Sequence, residues 1–199
     1  MLVLVALLLV CLVAGCGGEQ DPPAEAPAAT AESTPDPDQL ALEWWKWAVR
    51  RPKGQDPVSD HSGSRCAQDQ PDDVFFLAGS TGGAVRRRCE VPAGRPLFFP
   101  VLNVLCPQSV GKRSCGKVVR EAEVRVQVDG QAADTAFIVS GPFEPQADPK
   151  SSFAVTGPKA VAAGHYALVD ALDAGRHRIR FAGTTGDFGV LATYTLQVR

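Results

Sequence analysis

The chain has 199 residues, of which 45% are hydrophobic and 21% charged, with a formal net charge of −2. That length fits one domain or two small ones, and the composition is too apolar for a wholly disordered chain. The charge is too modest to point to nucleic acid as a partner, and none is expected.

The apolar content is unevenly spread. Residues 2–14 (LVLVALLLVCLVA) form an uncharged run of thirteen. A bilayer span needs about 17–25 such residues, whereas a signal-peptide core needs about 7–15. The run ends in Leu12-Val13-Ala14-Gly15-Cys16, which resembles a bacterial lipobox. The resemblance implies that residues 1–15 are a lipoprotein signal peptide and that the Cys16 thiol receives a diacylglyceryl group. Cleavage then frees the Cys16 amine for a further acyl chain such as palmitate. One chain anchors a protein marginally and two or more hold it firmly. The expected location is the cell membrane, lipid-anchored and facing outside the cytoplasm, with membrane lipid as a partner through Cys16. No Lys or Arg precedes the run, which leaves room for an upstream start codon.

Residues 17–38 carry six acids (Glu19, Asp21, Glu25, Glu32, Asp36, Asp38), no base and five prolines. Nothing apolar in this segment is larger than Ala, so it cannot offset its own ordering entropy. Residues 16–38 are therefore expected to form a tether, with a folded domain over 39–199. All 20 Lys and Arg lie from Lys46 onward, which makes the domain mildly basic.

Of six cysteines, Cys11 falls in the signal and Cys16 at the anchor. Cys66, Cys89, Cys106 and Cys115 form an even set, which in an oxidising compartment reads as two disulfides. Cys106–Cys115 is the favoured pair because the eight residues between them (PQSVGKRS) read as a polar loop that returns on itself. Cys66–Cys89 follows, and loop-closure entropy gives about 2.7 kcal/mol for the shorter loop and about 3.5 for the longer. No C-x₂-C or H-x₃-H spacing accompanies them, so no metal is expected.

One helix is signalled from Asp36-Pro37-Asp38-Gln39, which offers an N-cap, Pro at the first helical position and Gln three residues on. Leu40, Trp44, Trp47, Ala48 and Arg51 follow at helical spacing, and Arg50-Arg51-Pro52 closes the segment. Trp44 and Trp47 read as the stripe that docks this helix on the domain, in preference to a sugar-stacking platform.

Beyond residue 70 the pattern turns to period two. Strands are expected over Asp73–Ala78, Ala84–Val91, Arg95–Asn103 and Glu123–Val128, with an Asp129-Gly130 hairpin turn leading into Thr135–Ser140. Further strands are expected over Ser152–Thr156, His165–Leu172, Arg176–Phe181 and Val190–Val198. Leu97-Phe98-Phe99 and Val101-Leu102 are apolar on both faces, as in a strand covered on two sides. The fold class is mainly β: an antiparallel β-sandwich of about nine strands with the N-terminal helix docked on it.

Several segments together resemble a family of exported bacterial proteins with no assigned activity. They are Trp44-Trp45-x-Trp47, Asp60 ahead of Cys66, Phe76-Leu77-Ala78-Gly79, Gly82-Gly83, Arg88-Cys89-x-Val91-Pro92-Ala93-Gly94 and Phe98-Phe99-Pro100-Val101-Leu102-Asn103 before Cys106. The resemblance covers about residues 44–106, with a looser match at Gly175-x-His177-x-Ile179-x-Phe181. It implies export and a single domain, and supplies no catalytic residues.

The chemistry-bearing motifs are sparse. Gly111-Lys112-Arg113-Ser114-Cys115-Gly116-Lys117-Val118 nearly matches a phosphate-binding loop, but Val118 stands where a hydroxyl must hold Mg²⁺. Gly79-Ser80-Thr81-Gly82-Gly83 could cradle an anion, yet a turn between strands needs no ligand. There is no G-x-S-x-G, and no cofactor is implied. Asp60-His61-Ser62 holds the residue types of a hydrolase, although sequence neighbours rarely converge as a triad. Arg86-Arg87-Arg88 and the alternating Arg176, Arg178 and Arg180 are the strongest charge features. Alternating Arg on one strand face is more often a solvated surface than a binding stripe. The sharper alternative is contact with an anionic envelope polymer or headgroups, or with a protein ligand. The leading expectation is a non-catalytic, lipid-anchored binding or structural module. The alternative is an extracytoplasmic hydrolase with its site near Asp60 and His61. Asp60, His61, Arg86 and Asn103 are the candidate ligand-binding residues, and no catalytic residue is assigned.

Overall fold

The computed structural model describes residues 36–153 and 157–199. The segments expected to be a signal peptide and a tether, up to residue 35 and including Cys16, lie outside these residues, as do 154–156 of the strand expected over Ser152–Thr156. Ser152 and Phe153 themselves sit in a turn.

Helix α1 (Pro37–Val49) starts where the caps predict: Asp36 accepts the Asp38 N–H through its side chain at 3.0 Å and Pro37 opens the first turn. Pro37 and Asp38, the last two residues of the expected tether, thus belong to the helix, and Asp36 caps it. Among the described residues nine strands follow: β1 (Phe75–Phe76), β2 (Gly83–Val91), β3 (Leu97–Pro107), β4 (Glu123–Val128), β5 (Gln131–Ala132), β6 (Ala136–Val139), β7 (Ala160–Val169), β8 (Gly175–Thr185) and β9 (Phe188–Val198). They form a four-stranded sheet, β1-β3-β7-β6, and a five-stranded sheet, β2-β9-β8-β4-β5.

The layers are helix, four-stranded sheet, five-stranded sheet. Phe76, Ala78, Phe98, Ala162 and Tyr166 pack against α1, while Phe75, Leu77, Leu97, Phe99 and Val101 point the other way onto Val85, Ile179, Phe181, Tyr194 and Leu196. This is why β3 is apolar on both faces. Trp44, Trp45 and Trp47 are all buried, and each indole N–H has an acceptor: Leu77 O, Tyr166 Oη and Gln68 O. Trp45 thus joins the stripe that the spacing assigned to Trp44 and Trp47.

Several expectations need correction. Each sheet is antiparallel except at one edge, where β1 pairs parallel with β3 and β2 pairs parallel with β9. Parallel neighbours need a crossover, and β2, lying in the opposite sheet, is the crossover between β1 and β3. The Asp129-Gly130 turn leads only to the two-residue β5; β6 leaves for the other sheet and pairs with β7. The polar segment after Cys106 is not a loop but a short turn and a second helix, α2 (Gly111–Val119). Its buried stripe is Cys115, Gly116 and Val119, and a Cβ on Gly116 would come within 3.2 Å of Val139. Such a short helix owes its stability to packing and not to propensity.

Cys106–Cys115 ties β3 to α2, and Cys66–Cys89 ties the long loop before β1 to β2. This is the favoured pairing. The same loop lies along the outer edge of β2: the Arg88 N–H donates to Ser62 O at 2.9 Å, and a Cβ on Gly63 would collide with the Arg88 backbone. Within β3, the pairing with β7 slips by one residue between Pro100 and Leu102. Among the described residues, no helix is long and apolar enough to cross a membrane.

Candidate functional site

The four candidate residues are not brought together. Asp60 is buried in the long loop, where its two carboxylate oxygens accept from Ser62 N, Ser62 Oγ and Arg65 N at 2.8–2.9 Å. Burial pushes this carboxyl up, but the donors of Arg65, Ser62 and Gly63 outweigh it and hold it below the usual carboxylate range. A carboxylate so engaged folds its loop and is not free to orient a base. His61 is exposed beside it. Arg86 lies on the solvent face of the five-stranded sheet and Asn103 in a separate cleft. The hydrolase arrangement around Asp60 and His61 is therefore not assembled.

The residue between Arg86 and Arg88 has a different role. Arg87 is 2% exposed and donates to the carbonyls of Asp60, Ala78 and Val58 and to Tyr194 Oη. Tyr194 Oη in turn donates to Ala78 O at 2.8 Å, and burial pushes its phenol up despite the nearby guanidinium. The signal was present in the sequence: Arg87 shares the inward phase of Val85, Cys89 and Val91.

The outward phase of that sheet carries the densest charge. Register places Arg86 beside Thr193, Arg180 and Gln127 in one row across the sheet, and Arg88 beside Thr195 and Arg178 in the next. Arg176 and Arg125 extend the face at either end, and all six arginines are exposed. Among the described residues, none of their guanidinium groups is in a salt bridge or a side-chain hydrogen bond. Of the acids on or beside this face, Glu90 is engaged with Arg199, and Asp129 with His177 Nδ1 at 2.7 Å and with the Arg178 N–H at 2.6 Å, while Glu123 shares the outward phase of β4 with Arg125. The opposite nitrogen of His177 faces Asp173 O at 2.9 Å, so both ring nitrogens meet acceptors. The Asp129 contact raises the imidazole's pKa against its partial burial, and the Arg178 N–H and His177 lower that of Asp129. A shallow concavity of about 630 Å³ lies over this face, lined by Arg86, Arg88, Arg176, Arg178, Thr193 and Thr195 among others.

His165, expected to open a strand, sits within β7 and directs Nε2 at the carbonyls of Val119 and Arg120, at the C-terminal end of α2. Among the described residues, no group of three or more His, Cys, Asp or Glu side chains is placed to hold a metal ion.

No protein-family model and no curated protein matches the chain. Among solved structures it is similar to the solution structure of amebosin, at 10% identity over 58% of this chain and 96% of that one, with a TM-score of 0.24. It is also similar to the cysteine protease inhibitor EhICP2 from Entamoeba histolytica, at 11% identity over 65% of this chain and 99% of that one, with a TM-score of 0.29. At these TM-scores the likeness carries no argument about function.

Proposed function

We propose that this protein is a lipid-anchored module of the bacterial cell envelope that binds its partner without transforming it. The partner is an anionic polymer laid across the outer face of the five-stranded sheet. One observation carries the reading: Arg86, Arg88, Arg125, Arg176, Arg178 and Arg180 share that face with no carboxylate bound to them among the described residues. Like charges held together repel, and an anion spanning them relieves that repulsion. Residues two apart on a strand are about 7 Å apart and every second strand about 10 Å, so repeated charges on a chain can meet several guanidinium groups at once. Each guanidinium offers a planar fork to phosphate or carboxylate, and neutralising several of them makes binding strongly salt-dependent. The lipobox at Cys16 supports the envelope location, because an acylated Cys16 would hold the domain beside such polymers.

Retention of the protein on immobilised inorganic polyphosphate tests the face. Affinity is expected to fall at least about a hundredfold between 50 and 200 mM salt. The triple variant Arg176→Gln, Arg178→Gln, Arg180→Gln should bind at least about tenfold more weakly with an unchanged unfolding midpoint. A wild-type protein that is not retained at low salt, or a triple variant that binds equally well, would overturn the reading. For the anchor, Cys16→Ala should release the protein from the membrane fraction, and continued sedimentation with membranes would refute it.

A further inference from the structure

A second concavity lies where α1, the β1–β2 connection, the slip in β3 and the β8–β9 hairpin converge. It is a cleft of about 280 Å³ whose walls include Trp44, Trp45, Pro100, Asn103, Phe153 and Phe188, and among the described residues none of its lining side chains carries a charge. The register slip explains how Asn103 comes to line it. Phe99 and Val101 face the five-stranded sheet, and unbroken alternation would send Asn103 the same way. The extra residue reverses the phase and sets Asn103 opposite Gly164, two residues from Tyr166 on the α1 side. Gly164 is needed there, because a Cβ would lie 2.6 Å from that of Asn103.

The Asn103 amide is poorly served by this position. Its Nδ2 is buried and has no acceptor among the described residues. The Tyr166 hydroxyl, which accepts from Trp45 Nε1, is near enough for Asn103 to oppose the rise of its pKa, but the amide makes no well-formed bond with it. An orphaned buried donor costs about 1–3 kcal/mol and calls for an explanation. The rim shows the same departure from ordinary packing: Phe188 is one of the few large apolar side chains left exposed, at 44%.

We propose that this cleft binds a small neutral molecule that joins a flat ring to a carbonyl or carboxamide group. The uncharged lining disfavours an ion, which would lose its hydration with no counter-charge in return. The aromatic walls suit a ring, and the Asn103 amide, once its side chain turns to bring the buried N–H to the cleft, suits an acceptor oxygen. The volume agrees: a cavity of about 150 Å³ holds benzene, and this cleft is nearly twice that size. The site is independent of the arginine face, so either can fail without the other.

The test is ¹⁹F line broadening of 4-fluorobenzamide by the full chain in detergent, with 4-fluorobenzoate as the charged control. Wild-type protein should bind the amide at least about tenfold more tightly than the acid. Asn103→Leu should weaken amide binding at least about tenfold while raising the melting temperature by about 2–4 °C, because the orphaned donor is gone. Phe188→Ala, at an exposed position that packing does not depend on, should weaken it about fivefold and leave the melting temperature unchanged. Absence of amide binding, equal binding of the acid, or amide affinity unchanged in Asn103→Leu would overturn the site. Should Asn103→Leu fail to fold, unchanged affinity in Phe188→Ala overturns it instead.

Discussion

The two sheets use the same strand geometry for opposite purposes. The four-stranded sheet is covered on both faces, by α1 on one side and by its partner sheet on the other, and its long strands β3 and β7 are largely buried. Among the described residues the five-stranded sheet is covered on one face only, so β2, β8 and β9 alternate between core and solvent. A residue in the first sheet is constrained wherever it points. In the second, every other residue is released from packing and free to carry charge. The arginine face occupies that released phase, whereas Arg87, one position out of phase, becomes part of the core.

The comparison makes graded predictions. Trp45→Ala, on the doubly covered side, should lower stability by about 3–5 kcal/mol in denaturant unfolding, because the ring fills a packed site and its N–H serves Tyr166. Trp47→Ala should do likewise and open residues 39–51 to proteolysis; unchanged midpoints in both would break the assignment of α1 to the core. Arg87→Met should cost about 2–4 kcal/mol by stripping several buried acceptors of their donor. A loss under 0.5 kcal/mol there would show that phase does not govern this strand.

His177 gives a smaller, pH-dependent effect. Its raised pKa means that its contribution is fully present below the unfolded value of about 6.5 and is lost as pH rises through the folded pKa. The depressed pKa of Asp129 adds stability above its unfolded value of about 3.9, lost as pH falls through the folded one. Stability from the pair should therefore be greatest between about pH 4 and 6.5. His177→Gln should flatten the decline above that range, by under about 1 kcal/mol because Asp129 is 46% exposed. An identical slope in the variant would dismiss the pair. Least affected should be Arg86→Gln and Arg88→Gln, within about 0.5 kcal/mol of wild type, although they flank Arg87.

Much of this architecture could be read from residue patterns. The N-terminal caps of α1, the tryptophan stripe and the alternating strands β2, β4 and β9 rest on local periodicity, which the folded chain preserves. What escaped depends on partners distant in sequence. The α2 segment contains two glycines and only a thin apolar stripe, so only its packing against β3 and β7 reveals it as a helix. The described residues hold nine strands, as many as expected, but β5 is one that the periodicity did not mark, and the partner of β6 lies in the other sheet. The arginine row could be read from spacing, whereas its continuation across β2, β8 and β4 required the register. Asn103 could be chosen from the sequence only as a polar residue in an apolar strand, because one slipped residue decides which way it faces.

The loop that lies along β2 has a bearing on solubility. β2 is nine residues long and stands at the margin of its sheet, with one row of backbone groups turned away from β9. Such a margin invites another chain to add a strand unless something covers it. Ser62 and Gly63 occupy part of it, and Cys66–Cys89 fastens them there. Reduction under native conditions should therefore produce self-associating species, visible by light scattering, before the aromatic core gives way. In this light the bond acts as a guard against edge-to-edge polymerisation, and a chain that never reached an oxidising compartment would lack it.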